Sequence, residues 1–87
     1  MITQEFTLKN QGGLHARPAV FFVTLCNKYQ SAIEVVHQGK KTDAKSVIGI
    51  MALGAGQGKT VTINVEGIDA EQAMQAVSAY LSGLQDR

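Results

Sequence analysis

The sequence predicts an α+β fold: a mostly antiparallel four-stranded sheet covered on one face by three helices, in the order βαββαβα. Two patterns predict these elements. Polar and apolar residues alternate in short segments, and apolar residues recur at helical spacing in other segments. The third observation is size. With 87 residues, 45% of them hydrophobic, the chain has material for one core, so we expect a single domain over residues 1–87.

The first strand and the first helix lie on either side of a histidine. Alternation from Ile2 to Leu8 predicts a half-buried strand. The stretch Asn10–Gly13 ends it. Pro18 favours the first turn of a helix, and the segment continues without a break to about Asn27. We therefore predict a helix that begins beside His15.

The middle of the chain predicts a hairpin. Ala32–His37 has the composition of a strand, with Ile33 and Val35 expected to face inward. The pair Gln38–Gly39 supplies a turn. A second short strand is then expected over Lys40–Asp43.

The last three elements are a short helix, a strand and a long helix. Ser46 is the expected N-cap of a helix that ends at Gly54. Alternation over Thr60–Glu66 predicts the fourth strand. Asp69 is the expected cap of the last helix, with Gln72 completing a capping box. The predicted buried stripe of that helix consists of Ala73, Val77, Tyr80, Leu81 and Leu84.

The charge balance and the single cysteine restrict the class of partner. The formal net charge is +1, with Lys and Arg scattered along the chain, so we expect no nucleic-acid binding and no membrane insertion. The first ten residues lack the apolar run of a secretory signal. Cys26 alone can form no intrachain disulfide. The expected location is therefore the reducing cytoplasm, and the expected partners are proteins.

A candidate reactive site lies in the segment Gly13–Pro18. It places His15 and Arg17 at a predicted helix start, where free backbone N–H groups and the helix dipole stabilise an anion. Arg17 adds a planar set of donors that matches phosphate oxygens. Imidazoles titrate near physiological pH, and the neutral form is a nucleophile. The combination suits a phosphoryl group.

An arbitrary His-x-Arg sequence is more often structural, with the histidine capping the helix and the arginine solvated. Here seven of the eight residues in Ala19–Cys26 are apolar, more than one core-facing stripe needs. The residues expected to face the core are Phe22, Val23 and Cys26. The residues expected to share another face are Arg17, Val20, Phe21 and Thr24. Exposed apolar groups beside a reactive residue indicate a docking surface; the alternative is a helix buried on two sides.

Two motifs carry a family resemblance. GLHARPA, at residues 13–19, and KSVIGIMALG, at residues 45–54, resemble the family of histidine-containing phosphocarrier proteins (HPr) of the bacterial phosphoenolpyruvate-dependent sugar phosphotransferase system. Length, element order and the spacing of the two motifs agree over essentially the whole chain. The resemblance implies an open-faced β-sandwich, with three helices over a four-stranded antiparallel sheet.

The resemblance also implies residue roles. His15 would accept a phosphoryl group on Nδ1 from enzyme I and pass it to sugar-specific enzyme IIA domains, while Arg17 would stabilise the phosphate. The sequence departs from the family at Gly12, where many members carry a small polar residue able to hydrogen-bond the phosphoryl group. The expected docking residues are Ala16, Val20, Phe21, Val47, Ile48 and Met51. The chain would be a monomeric carrier rather than an enzyme, without a cofactor or a metal.

Ser46 has two compatible interpretations. Serine is a preferred N-cap and needs no further purpose there. In the family that the chain resembles, the matching serine is the target of an ATP-dependent regulatory kinase, so a serine kinase/phosphorylase is a further expected partner. A phosphate at this position would add nearly two negative charges beside the docking surface.

Two other motifs are interpreted as structural. GAGQGKT, at residues 54–60, has Leu53 where a P-loop needs its first glycine, so we predict a flexible turn. His37 has no second ligand at metal-binding spacing. Two other functions stay open: a regulatory paralogue in a nitrogen-related or similar phosphorelay, and a binding module that has lost transfer, although the presence of both His15 and Arg17 disfavours the latter.

Overall fold

The computed structural model describes residues 1–84, which form four strands and three helices. In chain order these are β1 (Ile2–Thr7), α1 (Ala16–Cys26), β2 (Ala32–His37), β3 (Lys40–Asp43), α2 (Val47–Ala52), β4 (Thr60–Glu66) and α3 (Ala70–Leu84). The strands form one sheet in the order β1-β4-β2-β3, and every neighbouring pair is antiparallel. The predicted βαββαβα order and the open-faced β-sandwich are confirmed.

An apolar core fills the space between the sheet and the helices. The predicted inward residues of the hairpin, Ile33 and Val35, are buried there. The largest fully buried side chains include Phe22, Leu8, Leu14, Ile50, Ile63, Leu81, Val61 and Val77. Burying one such side chain stabilises a fold by about 1.5–3 kcal/mol. The stripe of α3 is as predicted, except that Met74 joins it and Tyr80 is only half-buried. No helix within residues 1–84 has both the length and the apolar character needed to cross a bilayer.

One end of the sheet, named here the His15 end, is formed by the segments 8–15 and 53–59. They meet because Thr7 of β1 is paired with Thr60 of β4. The Leu8 N–H donates to the Lys59 carbonyl at 2.8 Å, and the Leu8 carbonyl accepts from the Gly58 N–H at 2.6 Å. The turn predicted over residues 54–60 is therefore tied to the segment that follows β1 by backbone hydrogen bonds.

The other end of the sheet, named here the Asp69 end, is formed by the segments 27–31 and 67–69. They meet because Ala32, at the start of β2, is paired with Glu66, at the end of β4. Gly67 packs so closely on Ser31 that a Cβ would lie 2.6 Å from the Ser31 Cα. Glycine is therefore required where these two segments cross.

The predicted capping box with Gln72 stays a prediction. Asp69 itself directly precedes α3, as expected for an N-cap, and its backbone carbonyl accepts the first helical hydrogen bond, from the Ala73 N–H at 2.9 Å. Its carboxylate accepts hydrogen bonds from the backbone N–H groups of Gln30 and Ser31, each at 2.9 Å, and from the Ser31 hydroxyl. These bonds, the hydroxyl first, hold the pKa of Asp69 below its usual range. The Asp69 side chain thus joins segment 67–69 to segment 27–31, which is distant in sequence. A local capping pattern does not predict such a contact.

Candidate functional site

The segment before α1 is shaped by a buried asparagine and a glycine. The Asn10 side-chain amide donates to the Gly13 carbonyl at 3.0 Å, and the Gly13 N–H donates back to the Asn10 carbonyl at 3.1 Å. Gly13 has a φ of 58°, and a Cβ there would lie 2.3 Å from the Ala55 carbonyl oxygen. The Leu14 N–H donates to that same oxygen at 3.0 Å. The peptide just before His15 is therefore fixed against the neighbouring loop.

His15 is the residue immediately before α1, and its backbone is extended, with φ −140° and ψ 151°. Its side chain is exposed, and within the described residues it makes no capping hydrogen bond, so the imidazole is not held as a helix cap. Ala16 follows with a φ of 51°, a left-handed conformation that costs a residue with a Cβ about 1–2 kcal/mol. The N–H groups of the first turn have no partner within the helix, which places the imidazole at the positive end of α1.

The side chains of His15 and Arg17 are both exposed but border different hollows. The first hollow has a volume of about 130 Å³. It is lined by His15 together with Gly12, Leu14, Met51, Gly54, Ala55 and Gly56. The second has a volume of about 190 Å³. It is lined by Arg17 together with Asn10, Gln11, Pro18, Phe21, Tyr80 and Leu84. The two side chains are therefore exposed near the start of α1 without sharing a hollow.

The expected docking residues lie on α1 and α2, which pack against one another. Most are exposed apolar side chains: Val20 is 46% exposed, Phe21 51%, Ile48 83% and Met51 40%. Ala16 is exposed as well. Val47 is half-buried and packs against the core, so it contributes less surface than the others. The residues of α1 expected to face the core, Phe22, Val23 and Cys26, are buried, and so are Ile50 in α2 and Leu53 just after it.

Ser46 caps α2 as predicted. Its hydroxyl oxygen accepts a hydrogen bond from the Gly49 N–H at 3.1 Å, and its backbone carbonyl accepts the helical hydrogen bond of Ile50 at 3.0 Å. The residue is half-buried. The Ser46 hydroxyl oxygen therefore stabilises the start of α2, and this role is compatible with phosphorylation of the same residue.

Two other side chains with reactive atoms are unsuited to surface chemistry. His37 is buried at the end of β2, with Nδ1 3.5 Å from the Thr60 carbonyl oxygen. Burial raises the pKa of the Cys26 thiol to about 12, so the thiol stays protonated and is a poor nucleophile. Within residues 1–84, no group of three His, Cys, Asp or Glu side chains is arranged to hold a metal ion.

Sequence patterns missed two features of the site. Asn10 is buried and holds the loop through Gly13; an asparagine shortly before a pair of glycines is a turn signal that could have indicated this. The left-handed backbone of Ala16 has no such signal, because alanine is the residue type that most favours an ordinary helix.

Comparison with known proteins defines the class to which this fold and site belong. A family model described as "PTS HPr component phosphorylation site" matches residues 2–82. The HPr-like protein Crh of Halalkalibacterium halodurans is 41% identical over 81 residues, which cover 93% of this chain and 96% of that protein. Phosphocarrier proteins of the HPr type are not enzymes in the usual sense. The chain belongs to the HPr family of phosphocarrier proteins.

Solved structures support the same conclusion. HPr-C-His from Thermoanaerobacter tengcongensis has a TM-score of 0.96 at 40% identity, covering 100% of this chain and 98% of that one. The phosphocarrier protein HPr from Bacillus anthracis str. Ames has a TM-score of 0.88 at 40% identity, covering 92% and 95%. An HPr dimer from T. tengcongensis also matches, with a TM-score of 0.76 at 44% identity and 90% coverage of each chain. The expected monomer therefore stays a prediction.

Proposed function

We propose that His15 accepts a phosphoryl group derived from phosphoenolpyruvate on Nδ1, from enzyme I, and passes it to sugar-specific enzyme IIA domains. One observation above all supports this proposal. The imidazole is exposed at the start of α1, makes no capping bond within the described residues, and has an exposed arginine two residues away. A reactive side chain presented in this way suits transfer between proteins, since each partner must reach the same nitrogen in turn.

The chemistry needs little beyond these groups. The neutral imidazole nitrogen attacks phosphorus, the new N–P bond forms, and the bond from phosphorus to the donor breaks, so that the electron pair leaves with the donor. The reverse sequence delivers the group to an acceptor. The negative charge of the phosphoryl oxygens is stabilised by the α1 dipole and by the guanidinium of Arg17. Gly12 offers no side chain to this group, so backbone N–H groups take that role.

Partner recognition is assigned to the exposed apolar face of α1 and α2: Ala16, Val20, Phe21, Val47, Ile48 and Met51. Four of these side chains are apolar and 40–83% exposed, and Met51 lines the same hollow as His15. Exposed apolar patches of this kind mark protein contacts. A serine kinase/phosphorylase acting on Ser46 would regulate the same face. A phosphate there would place nearly two negative charges beside Ile48 while remaining favourable at the start of α2.

A second candidate function is a regulatory paralogue that takes part in a phosphorelay without serving sugar uptake. It is favoured by the 41% identity with Crh, an HPr-like protein. Both candidates use His15. They differ in the acceptor, so the sequence of steps up to phosphorylation is the same in each.

The remaining proposals concern the state of the protein. One buried cluster extends from Leu8 to Leu84, which supports a single domain over the whole chain. The buried thiol of Cys26 suits a reducing compartment, and we place the carrier in the cytoplasm, acting as a monomer.

The test is a two-stage transfer assay. The protein is incubated with phosphoenolpyruvate and catalytic enzyme I, and acid-labile phosphate is measured; it is then mixed with a panel of enzyme IIA domains. Phosphorylation followed by transfer to at least one IIA domain is the expected result. Phosphorylation without transfer to any of them would favour the regulatory paralogue. Absence of phosphorylation would contradict both functions.

A further inference from the structure

The segment that carries the proposed reactive groups is held at both of its ends. At the start, the Leu14 N–H donates to the Ala55 carbonyl at 3.0 Å. At the end, the Pro18 carbonyl accepts a hydrogen bond from the hydroxyl of Tyr80 at 2.9 Å. Between these two points lie three exposed residues, including His15 and Arg17. The anchor at Ala55 is backbone to backbone, whereas the anchor at Tyr80 depends on one side-chain atom.

Tyr80 is well placed to act as a fixed support. It lies in the last half of α3, is half-buried, and its ring packs beside the fully buried ring of Phe22, with centroids 6.3 Å apart and planes tilted by 33°. Such an aromatic pair stabilises by about 0.5–1.5 kcal/mol beyond the area that it buries. The hydroxyl that reaches Pro18 is thus carried on a ring whose own position is set by the core.

The first turn of α1 needs an external support. The first N–H groups of a helix have no partner within it, Pro18 has no N–H at all, and Ala16 is in a left-handed conformation. A hydrogen bond from α3 to the Pro18 carbonyl ties this first turn to the rest of the domain through a contact that the helix itself does not supply. Tyr80, Pro18 and Arg17 all line the second hollow, so Tyr80 lies beside both the first turn and the Arg17 side chain.

We propose that Tyr80 is a positioning residue for phosphoryl transfer, which holds the first turn of α1 and the Arg17 side chain in the place where the guanidinium meets the phosphoryl group on His15. Tyr80 is assigned an indirect role, through the Pro18 carbonyl that its hydroxyl bonds and through the hollow that it lines together with Arg17. This inference rests on the proposed function, because it assigns Tyr80 a part in that same transfer. Its physical basis is that electrostatic stabilisation acts fully only when the donor is already in place.

The experiment compares Tyr80→Phe with a matched control, Tyr29→Phe. Each substitution removes one phenolic hydroxyl, and Tyr29 lies beyond the other end of α1. We measure kcat and KM for phosphorylation by enzyme I, with a thermal unfolding curve for each variant. For Tyr80→Phe the expected result is a fall in kcat of about fivefold, the factor that one net hydrogen bond supplies, with KM unchanged because the docking face is intact. Tyr29→Phe should match the wild type.

Tyr80→Phe could lower kcat by destabilising the fold or by misplacing Arg17. Measuring kcat for Tyr80→Phe in an Arg17→Ala background distinguishes the two causes. If Tyr80 acts through Arg17, the hydroxyl has no further effect on kcat once the guanidinium is gone. The same fivefold loss in both backgrounds would overturn the proposal, and so would equal kcat values for Tyr80→Phe and Tyr29→Phe in the presence of Arg17.

A second readout needs neither enzyme I nor phosphate. In ¹H–¹⁵N spectra of the unphosphorylated protein, Tyr80→Phe should shift or broaden the Arg17 side-chain Nε–H signal, while Tyr29→Phe should leave it unchanged. An unchanged Arg17 signal in Tyr80→Phe would contradict the inference whatever the function. If the wild type accepts no phosphate but the Arg17 signal moves as expected, the proposed function fails and the positioning contact stands.

Discussion

The two ends of the sheet are built from different kinds of interaction. At the Asp69 end, one carboxylate joins the segments by accepting hydrogen bonds from two backbone N–H groups and a hydroxyl. At the His15 end, the segments are joined mainly by the backbone, through Leu8, Leu14 and Gly58. The ionisable side chains of these segments, Lys9, His15 and Lys59, are exposed at the surface, as is Arg17 in the first turn of α1.

A charged side chain stabilises the fold at the Asp69 end, whereas backbone hydrogen bonds do so at the His15 end. The charge of Asp69 is used in hydrogen bonds within the fold. Where the backbone holds the structure, the side chains stay available for chemistry and docking. The comparison predicts that substituting exposed side chains at the His15 end leaves the fold intact, whereas substitutions that disturb its backbone contacts or its core do not.

The largest expected effect separates two neighbouring phenylalanines of α1. Phe22 is fully buried and Phe21 is 51% exposed. Phe22→Glu should prevent stable folding, because it removes a buried ring and places an unpaired charge in the core, each costing about 3 kcal/mol or more. Phe21→Glu should fold with a Tm near that of the wild type and bind enzyme I more weakly. Thermal unfolding and a binding titration measure the two effects; unfolding of Phe21→Glu but not of Phe22→Glu would reverse the assigned helix face.

The next effect concerns the backbone contact before His15. Gly13→Ala should destabilise the protein by about 3 kcal/mol, because the added Cβ would lie 2.3 Å from the Ala55 carbonyl oxygen at a φ of 58°. Gly12→Ala is the matched control: its φ is 84°, yet a Cβ there meets nothing within 4 Å, so the cost is about 1 kcal/mol from the backbone alone. Denaturant unfolding compares the pair. Equal losses of stability in the two variants would mean that the close packing of Gly13 against Ala55 does not stabilise the His15 end.

A smaller effect is expected at Ser46, whose oxygen caps α2. Ser46→Ala should lose about 1 kcal/mol of stability with the cap and keep the wild-type rate of phosphorylation by enzyme I. Ser46→Asp should retain the fold, because aspartate is also a good N-cap, and slow the reaction. The initial rates are measured at low and high salt, since screening should reduce a penalty that arises from charge. Equal rates for the wild type and both variants would leave Ser46 as a helix cap alone.

The smallest expected effect is a change in pH dependence at the Asp69 end. The pKa of Asp69 is lowered in the folded protein, so its carboxylate contributes stability above the unfolded-state pKa of about 3.9, and that contribution is lost as the pH falls through the folded-state value. Asp69→Asn should therefore be less stable than the wild type near neutral pH, and the gap should close in acid. The free energy of unfolding of both proteins is measured from pH 7 downward. A difference between them that is constant with pH would show that the charge of Asp69 does not contribute to its hydrogen bonds with Gln30 and Ser31.

Much of the fold is encoded locally, which is why the sequence predicts it. Alternation of apolar residues defines β4, and the serine before a short apolar run defines α2; both have the predicted cap or bounds. The turn Gln38–Gly39 sets the hairpin, with Gln38 at φ 52° and Gly39 at φ 80°. Each of these depends on neighbours within a few residues, so a pattern suffices.

Two other features that the sequence patterns did not predict depend on residues far apart in the chain. Asp69 has the sequence of a helix cap, yet its carboxylate bonds Gln30 and Ser31 because the fold brings them together. The same is true of Tyr80, predicted only as part of a buried stripe, whose hydroxyl reaches Pro18. In the site, α1 begins beside His15 and Arg17 lies on the face predicted for it, whereas the contact between Leu14 and Ala55 follows from tertiary structure alone.

Locating the phosphate shows whether His15 carries the phosphoryl group, as proposed. After reaction with phosphoenolpyruvate and enzyme I, the wild type and His15→Ala are digested at alkaline pH and mapped by mass spectrometry, with thermal unfolding as the control for folding. We expect one acid-labile phosphate on His15 in the wild type and none in His15→Ala, which should unfold at nearly the same temperature because His15 is exposed. Acid-labile phosphate retained by His15→Ala, on His37 or elsewhere, would contradict the proposal.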